Sequence, residues 1–429
     1  GGYTGLLLGL SFMATTASGS TFMGIPGMAY TMGFKAGYYP MLYPIGIYIG
    51  SMILARRLKR IGDRLGSLTI PDFLGDFYQS RFLRAFAAIV SIFLIYYIMG
   101  QLAAAGHMFN TILGVPYQYG VWLAVGIMMV YMVMGGSHSD IITDAVQGLF
   151  MLLITVFVIV AFLIALGVPG GGGPAAVNAA LPAEHRWDVH THPENPLFYS
   201  WWTILLLLIA HIGFCSLPHL GNKFFAMRGT GQAKAFTLVS NVTGVLVGFL
   251  FLGGVLGRAV GLEGIQPDAV IPALFTQLLP GWVAALLSIA VLSAIASTAD
   301  GLFMSVSQIF ANDLYRKTYV PLVGKDPNSP EVDRRALIIG RIGVAVTGIV
   351  AAIAVYSPPA LLSVLLWVGI GGIISTLSGP LFLAVYWRRV TTFGAIMSAL
   401  CAFVIYFAIH LGPQFGLHEG AFPWTPNPF

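Results

Sequence analysis

Two adjacent hydroxyl residues, Ser297 and Thr298, stand inside an apolar stretch that covers residues 283–310. Hydroxyl oxygens are suitable ligands for a hard cation. The alternative is that each hydroxyl bonds back to the preceding turn of its own helix, as hydroxyls in membrane helices often do. The pair therefore predicts a cation site or a simple helix contact.

Two carboxylates, Asp144 and Asp300, lie deeper in apolar stretches than the other acidic residues. An ionisable group inside a membrane is costly, so its presence there suggests a function. Asp300 follows Ser297 by three residues and shares a helix face with it. The two carboxylates could form a second cation site or bind a proton. Alternatively, Asp144 lies at the cytoplasmic mouth of its helix, solvated or paired with a basic residue.

The composition predicts an all-α, polytopic membrane protein. The 429 residues are 57% hydrophobic and 9% charged, with a mean hydropathy of +0.84, whereas soluble domains carry about 25% charged residues. Continuous apolar runs of about 20 residues recur along the chain, and such runs indicate transmembrane helices rather than barrel strands. We predict eleven spans, beginning near Leu6, Tyr39, Phe82, Tyr119, Ile141, Phe198, Phe236, Trp282, Ala336, Leu361 and Phe393.

The basic residues are distributed unequally between the two predicted sides of the membrane. Eighteen of the 21 lysine and arginine residues fall on one side, leaving Lys35, Arg186 and Arg258 on the other. The positive-inside rule places the richer side in the cytoplasm, so that the N-terminus of this chain is cytoplasmic and its C-terminus extracellular. Because the basic residues do not cluster on a soluble module, we predict no nucleic-acid partner.

A glycine-rich outer loop divides the predicted spans into two groups of five, with one extra span at the end. Five is odd, so the two groups cross the membrane in opposite directions, as inverted repeats do. The predicted division is a first repeat at 1–167, a loop at 168–197, a second repeat at 198–389 and an extra span with a tail at 390–429. The opening Gly1-Gly2, without a methionine, suggests a fragment that lacks at least one preceding helix.

The first span of each repeat contains residues that interrupt helices. Hydroxyl residues at 15–21 precede Gly24 and Pro26 in the first span, and the sixth contains Gly213 and Pro218. A broken helix frees backbone carbonyls, which are natural sodium ligands in a cavity. Close packing through small residues is the alternative explanation.

Several motifs, in this order and at this spacing, resemble the sodium/solute symporter family. They are residues 18–27 (SGSTFMGIPG), 135–136 (GG), 143–148 (TDAVQG), 217–219 (LPH), 294–298 (AIAST) and 312–315 (NDLY). The resemblance implies a LeuT-type 5+5 inverted-repeat bundle with sodium between the first and eighth core helices. It implies sodium ligands from the carbonyls of Ala14, Ala17 and Ala294 and the hydroxyls of Ser297 and Thr298. It also matches Asp144 to an aspartate that some members use for a second sodium ion.

Within the family, the chain looks most like the pantothenate and monocarboxylate branch, through residues 114–120 (GVPYQYG), 217–219 and 267–272 (PDAVIP). This resemblance favours a small carboxylate as the solute. Proline-carrying relatives have an aspartate where this chain has Thr16 and a tyrosine where it has Phe214, which weakens a proline assignment. Hydrogen bonds to the solute are expected from Ser18, Ser20, Thr21 and Gln101, and apolar walls or a gate from Phe214, Pro218 and Trp367. Simple packing is the alternative for the aromatic residues.

The expected function is sodium-coupled secondary active transport by alternating access, with no covalent step and hence no enzyme activity. The expected partners are a small organic solute, sodium ions and the lipid bilayer, and the sequence leaves the oligomeric state open. Three alternatives remain: a symporter-like sensor domain of a signalling protein, an uncoupled channel or scaffold, and a symporter for an amino acid such as proline.

Overall fold

The computed structural model describes residues 2–192, 195, 197–357 and 362–411, without the side chains of 131–140, 362–368 and 411. Over these ranges the chain is helical, and its one β-type contact is an isolated bridge between Tyr3 and Met227. The α-helices are α1 (Gly5–Thr16), α2 (Ile25–Met32), α3 (Tyr38–Leu65), α4 (Ile70–Phe77), α5 (Arg81–Ser91), α6 (Leu94–Leu113), α7 (Tyr117–Leu163), α8 (Pro174–Ala180), α9 (Trp201–Ile212), α10 (Pro218–Ala226), α11 (Ala233–Gly248), α12 (Phe251–Ala259), α13 (Val270–Leu278), α14 (Gly281–Gln308), α15 (Val320–Leu322), α16 (Pro330–Ala354), α17 (Leu362–Tyr386) and α18 (Thr392–Leu411).

The first span is broken, as predicted. Helix α1 ends at Thr16, and the chain resumes with a π-helical turn, Ser20–Gly24, that leads into α2, with a bend of 59° at the break. Gly19 lies at the break, where a Cβ atom would be 2.7 Å from the Cβ of Ala104. Only glycine therefore allows the broken helix to approach α6 this closely.

The sixth predicted span is also broken. Helix α9 passes into a 3₁₀ turn, Gly213–Ser216, and α10 begins at Pro218 after a bend of 56°. Proline suits the first position of a helix because its missing N–H would have no intrahelical partner there. The second segment therefore starts in a new direction and runs beneath α1.

The fourth and fifth predicted spans differ from the structure, which joins them in the single 47-residue helix α7. The segment contains no proline, so the glycine pair at 135–136 alone does not end the helix. The span predicted to begin near Ile141 agrees with the apolar stretch Ile141–Leu163, which is long enough to cross a membrane, whereas Tyr117–Val130 is a shorter apolar helix. The difference from the prediction is that the backbone is helical through the expected connection between them.

Among the residues described, seven helices are long and apolar enough to cross a membrane, or up to nine if each bent pair is one span. The outer surface is apolar, as lipid contact requires. On α7, for example, Leu149, Leu153 and Val156 are exposed, whereas Met151 and Ile154 on the opposite face are buried. Helix α1 lies inside the bundle and packs against α7, α11 and α14. The C-terminus predicted to be extracellular lies outside the described residues.

Candidate cation and solute site

Thr298 joins α14 to the end of α1. Its hydroxyl donates to the carbonyl oxygen of Thr15 at 3.1 Å and lies 3.4 Å from that of Ala14. Carbonyls in the last turn of a helix have no intrahelical partner, and α1 ends at Thr16, so these oxygens are available for other ligands. Because Thr298 is fully buried, an oxygen-lined contact lies between α14 and the broken helix, away from water.

Ser297 contacts a different helix. Its hydroxyl donates to Asp144 Oδ1 on α7 at 2.5 Å. Both hydroxyls of the pair therefore bond to neighbouring helices, and their part in sodium binding stays a prediction. The other three predicted sodium ligands, Ala14, Ala17 and Ala294, are all buried in the same core.

Asp144 is buried and receives bonds from several polar groups. Its Oδ2 atom lies 3.0 Å from the Ser11 hydroxyl, 3.1 Å from the Thr15 hydroxyl and 2.8 Å from Lys223 Nζ. Of the alternatives left open by the sequence, pairing with a basic residue agrees with this geometry, but the pair lies inside the bundle and not at a solvated mouth. Asp300 is buried on α14 one turn after Ser297, and its part in a second cation site stays a prediction.

Lys223 corrects the sequence-based division of charges, which assigned it to a cytoplasmic loop. It lies on α10 with only 6% of its surface exposed. Its ammonium group is within 3.1 Å of four oxygens, from the Ser11 carbonyl and hydroxyl, the Thr15 hydroxyl and Asp144. The physical reason is the bend at Pro218, which directs α10 back under α1 and carries the lysine into the core.

Side chains satisfy the free N–H groups at the break in the first span. The Gly19 N–H donates to Gln101 Oε1 at 2.8 Å, the Ser18 N–H to the Thr21 hydroxyl at 3.2 Å, and the Ser20 N–H to the Ser18 hydroxyl at 3.2 Å. Gln101 is fully buried, and its Nε2 group has no hydrogen-bond partner in the described part of the chain. This amide can still donate to a ligand.

Four of the predicted solute residues, Ser18, Ser20, Thr21 and Phe214, line one small cavity of about 20 Å³. That volume is about enough for a water molecule, so the cavity is too small for an organic solute in this conformation. Thr16, compared above with the aspartate of proline-carrying relatives, also lines it. The sequence analysis missed the remaining lining residues, which are Ile25, Tyr39, Tyr43, Tyr97 and Ile370. The four-residue spacing of Tyr39 and Tyr43, which places them on one face of α3, was the available signal.

Three predicted solute residues are not among those lining this cavity. Gln101 instead bonds to the backbone at the break, through the N–H of Gly19. Pro218 is buried at the start of α10, where it sets the direction of the helix. Trp367 belongs to α17, and its side chain lies outside the described part of the structure.

A larger cavity of about 350 Å³ lies on the other side of Lys223. Its polar lining includes His219, Asn222, Ser305 and Gln308. Lys223 therefore lies between this cavity and the Asp144 carboxylate.

A cluster of ion pairs beside this cavity joins α4 to α5 and to the π-helical segment Ile309–Tyr319. Arg84 lies 2.5 Å from Asp76 and 3.5 Å from Asp72, and Lys317 lies 3.8 Å from Asp72. Burial raises the pKa of Asp72, and the nearby carboxylate of Asp76 raises it further, whereas the two cations act in the opposite direction. The cluster holds α4 against the end of the long helical segment that begins with α14.

Two broken helices that meet inside a bundle, with hydroxyl and carbonyl oxygens at one break, are typical of secondary transporters. Residues 1–402 match the family model described as "Sodium:solute symporter family". The chain belongs to the sodium:solute symporter family, a family of transporters with sodium as the coupling ion.

Similar proteins from three bacteria carry related names. A sodium/pantothenate symporter of Haemophilus influenzae is 24% identical over 399 residues, covering 92% of this chain and 80% of the relative. The high-affinity proline transporter PutP of Bacillus subtilis is 26% identical over 403 residues, covering 90% and 80%. A sodium/pantothenate symporter of Escherichia coli is 25% identical over 407 residues, covering 94% and 81%.

A solved structure, of a Na⁺-coupled sialic acid symporter in its substrate-bound outward-open state, has a similar fold. Its TM-score is 0.73 at 21% identity, and the match covers 95% of this chain and 84% of that one. The predicted LeuT-type helical bundle is confirmed.

Proposed function

We propose that this protein imports a small organic carboxylate with sodium. Sodium binds between the break in the first span and α14, to the carbonyls of Ala14, Ala17 and Ala294 and the hydroxyls of Ser297 and Thr298. The observation that carries the proposal is the contact of the Thr298 hydroxyl with carbonyl oxygens at the end of α1. These are uncharged oxygen donors, and sodium accepts such a ligand set.

The position of this contact suggests how sodium and solute are coupled. The same break that offers carbonyls to sodium places Ser18, Ser20 and Thr21 along the small cavity. Sodium that bridges α1 and α14 would order the break and thereby the solute pocket. Release of sodium would loosen both, which favours release of solute on the inner side.

The lining of the small cavity favours a carboxylate with a modest apolar body. Hydrogen-bond donors are provided by the lining hydroxyls, and the apolar walls by Phe214 and Ile370. The free amide of Gln101, which is bonded to the neighbouring break at Gly19, is a further donor. Two of the relatives described above are named sodium/pantothenate symporters, which supports pantothenate or a monocarboxylate. Proline is less favoured because this chain has Thr16 and Phe214 where proline-carrying relatives have an aspartate and a tyrosine.

The proposed orientation follows from the basic residues, which predict a cytoplasmic N-terminus for this chain. The division into repeats at 1–167 and 198–389, with a loop at 168–197 and an extra span at 390–429, remains part of the proposal.

The test is uptake into liposomes that contain the purified protein. Labelled pantothenate, pyruvate, acetate and proline are offered with and without an inward sodium gradient. The Ser297→Ala/Thr298→Ala variant should lose sodium-driven uptake. A Ser288→Ala variant should keep it, because that buried hydroxyl on α14 only bonds back to Ala284, at 2.6 Å. Sodium-independent flux, or none of the four solutes carried by folded protein, would contradict the proposal and favour a channel or a sensor.

A further inference from the structure

The ammonium group of Lys223 occupies a position that is built like a cation site. Four oxygens surround Nζ: the Ser11 hydroxyl at 2.7 Å, the Thr15 hydroxyl at 2.5 Å, Asp144 Oδ2 at 2.8 Å and the Ser11 carbonyl at 3.1 Å. Hydroxyl, carboxylate and carbonyl oxygens are also the ligands of a hard metal ion. The Lys223 side chain thus provides the positive charge that a metal ion would bring to these oxygens.

The cluster is continuous with the proposed sodium site. Asp144 accepts from Lys223 through Oδ2 and from Ser297 through Oδ1. Thr15 contributes its hydroxyl to the lysine and its carbonyl to Thr298. The Lys223 ammonium group and a sodium ion beside Ser297 would therefore both be attracted by the charge of one carboxylate, that of Asp144. Without the lysine, that carboxylate would be a buried anion with uncompensated charge.

We propose that Lys223 is a tethered cation that takes the place of a second sodium ion at Asp144. The chain then binds one sodium ion per transport cycle, and Asp144 balances the charge of the lysine. This inference rests on the proposed function, because it requires sodium to bind beside Ser297. The cavity of about 350 Å³ on the far side of Lys223 gives the side chain space to swing away when sodium leaves.

The test is equilibrium binding of radioactive sodium to the purified full-length chain in detergent. We expect one sodium ion per chain for the wild type and two for Lys223→Met, which leaves the Asp144 carboxylate free. Asp144→Asn leaves the ammonium group unbalanced and should weaken sodium binding at least tenfold. The double variant Asp144→Asn/Lys223→Met removes both charges and should bind one sodium ion within about threefold of the wild-type affinity. Lys234→Met, the same change at an exposed lysine, should have no effect.

The double variant shows whether Asp144 is itself a sodium ligand even if a single variant fails to fold, because the double variant contains no unpaired buried charge. If Asp144 itself ligates sodium, the double variant will bind at least tenfold more weakly than the wild type, and the inference is overturned. Two sodium ions per wild-type chain would overturn it as well. A folded wild type that binds no sodium at all would instead refute the proposed function, and the inference with it.

Discussion

Replacing Thr298 by valine should weaken sodium binding while the shape of the side chain is kept. Valine has nearly the same volume as threonine but no oxygen, so the change removes one proposed ligand. It also removes the hydrogen bond from Thr298 to the Thr15 carbonyl, which is 3.1 Å long. Serine at the same position keeps the oxygen and serves as the conservative variant.

The size of the effect follows from the chemistry of the contact. A polar group that contacts a charge contributes about 1.5–3 kcal/mol. Because about 1.4 kcal/mol corresponds to a tenfold change in affinity, the sodium concentration for half-maximal uptake should rise by roughly 10- to 150-fold. The maximal rate at saturating sodium should change much less, since the solute pocket itself keeps its lining. Loss of the bond to Thr15 should lower the free energy of unfolding by about 1 kcal/mol.

The assay is a sodium titration of solute uptake in liposomes, with Thr298→Ser and Thr155→Val alongside. Thr155 is buried on α7 and only bonds back to the Met151 carbonyl at 2.9 Å, so it provides the same chemical change away from the site. We expect Thr298→Ser and Thr155→Val to stay within about threefold of the wild type. A folded Thr298→Val protein with an unchanged sodium titration would refute the assignment of this hydroxyl as a ligand.

Three further changes test the structure around the site. Gln101→Leu leaves the Gly19 N–H without its acceptor, so it should lower the free energy of unfolding, measured by thermal unfolding, by about 1–3 kcal/mol and weaken solute binding. Arg84→Met removes a buried partner of Asp72 and should destabilise the protein by about 3 kcal/mol in the same assay, and Asp72→Asn in that background should recover part of the loss. Gly254→Ala would place a methyl group against the backbone of the broken first span, and size-exclusion chromatography should show misfolded protein.

Much of the fold could be predicted because the signals for it are local. A run of about 20 apolar residues predicts a span wherever it occurs, and Pro218 predicts a break from its own chemistry. Helix α7 shows where local signals fail. A glycine pair lowers helix stability by about 1 kcal/mol per residue but, unlike proline, it blocks no hydrogen bond. The surrounding helix therefore continues through it.

That Ser297 and Thr298 make polar contacts could be predicted for a similar reason, since polar atoms in an apolar helix need a hydrogen-bond partner. The partner itself could not be predicted from spacing. Ser297 bonds to Asp144, which is 153 positions away in the chain, and only packing of α14 against α7 brings the two together. The tyrosines of the small cavity were missed because an aromatic residue on an apolar helix has the same pattern whether it packs or lines a pocket.

Lys223 shows how a bend in a helix can place a charged residue in the core. Counting basic residues by loop assumes that a lysine next to the end of a predicted span is solvated. Lys223 lies five residues after Pro218, at a position that would lie beyond the span if the helix were straight. The bend instead directs α10 under α1, so the lysine enters the core. A buried carboxylate on α7 then becomes tolerable, because each charge offsets the desolvation of the other. In a chain with broken helices, an acidic residue deep in one span is therefore a reason to search for its cation just beyond the break in another.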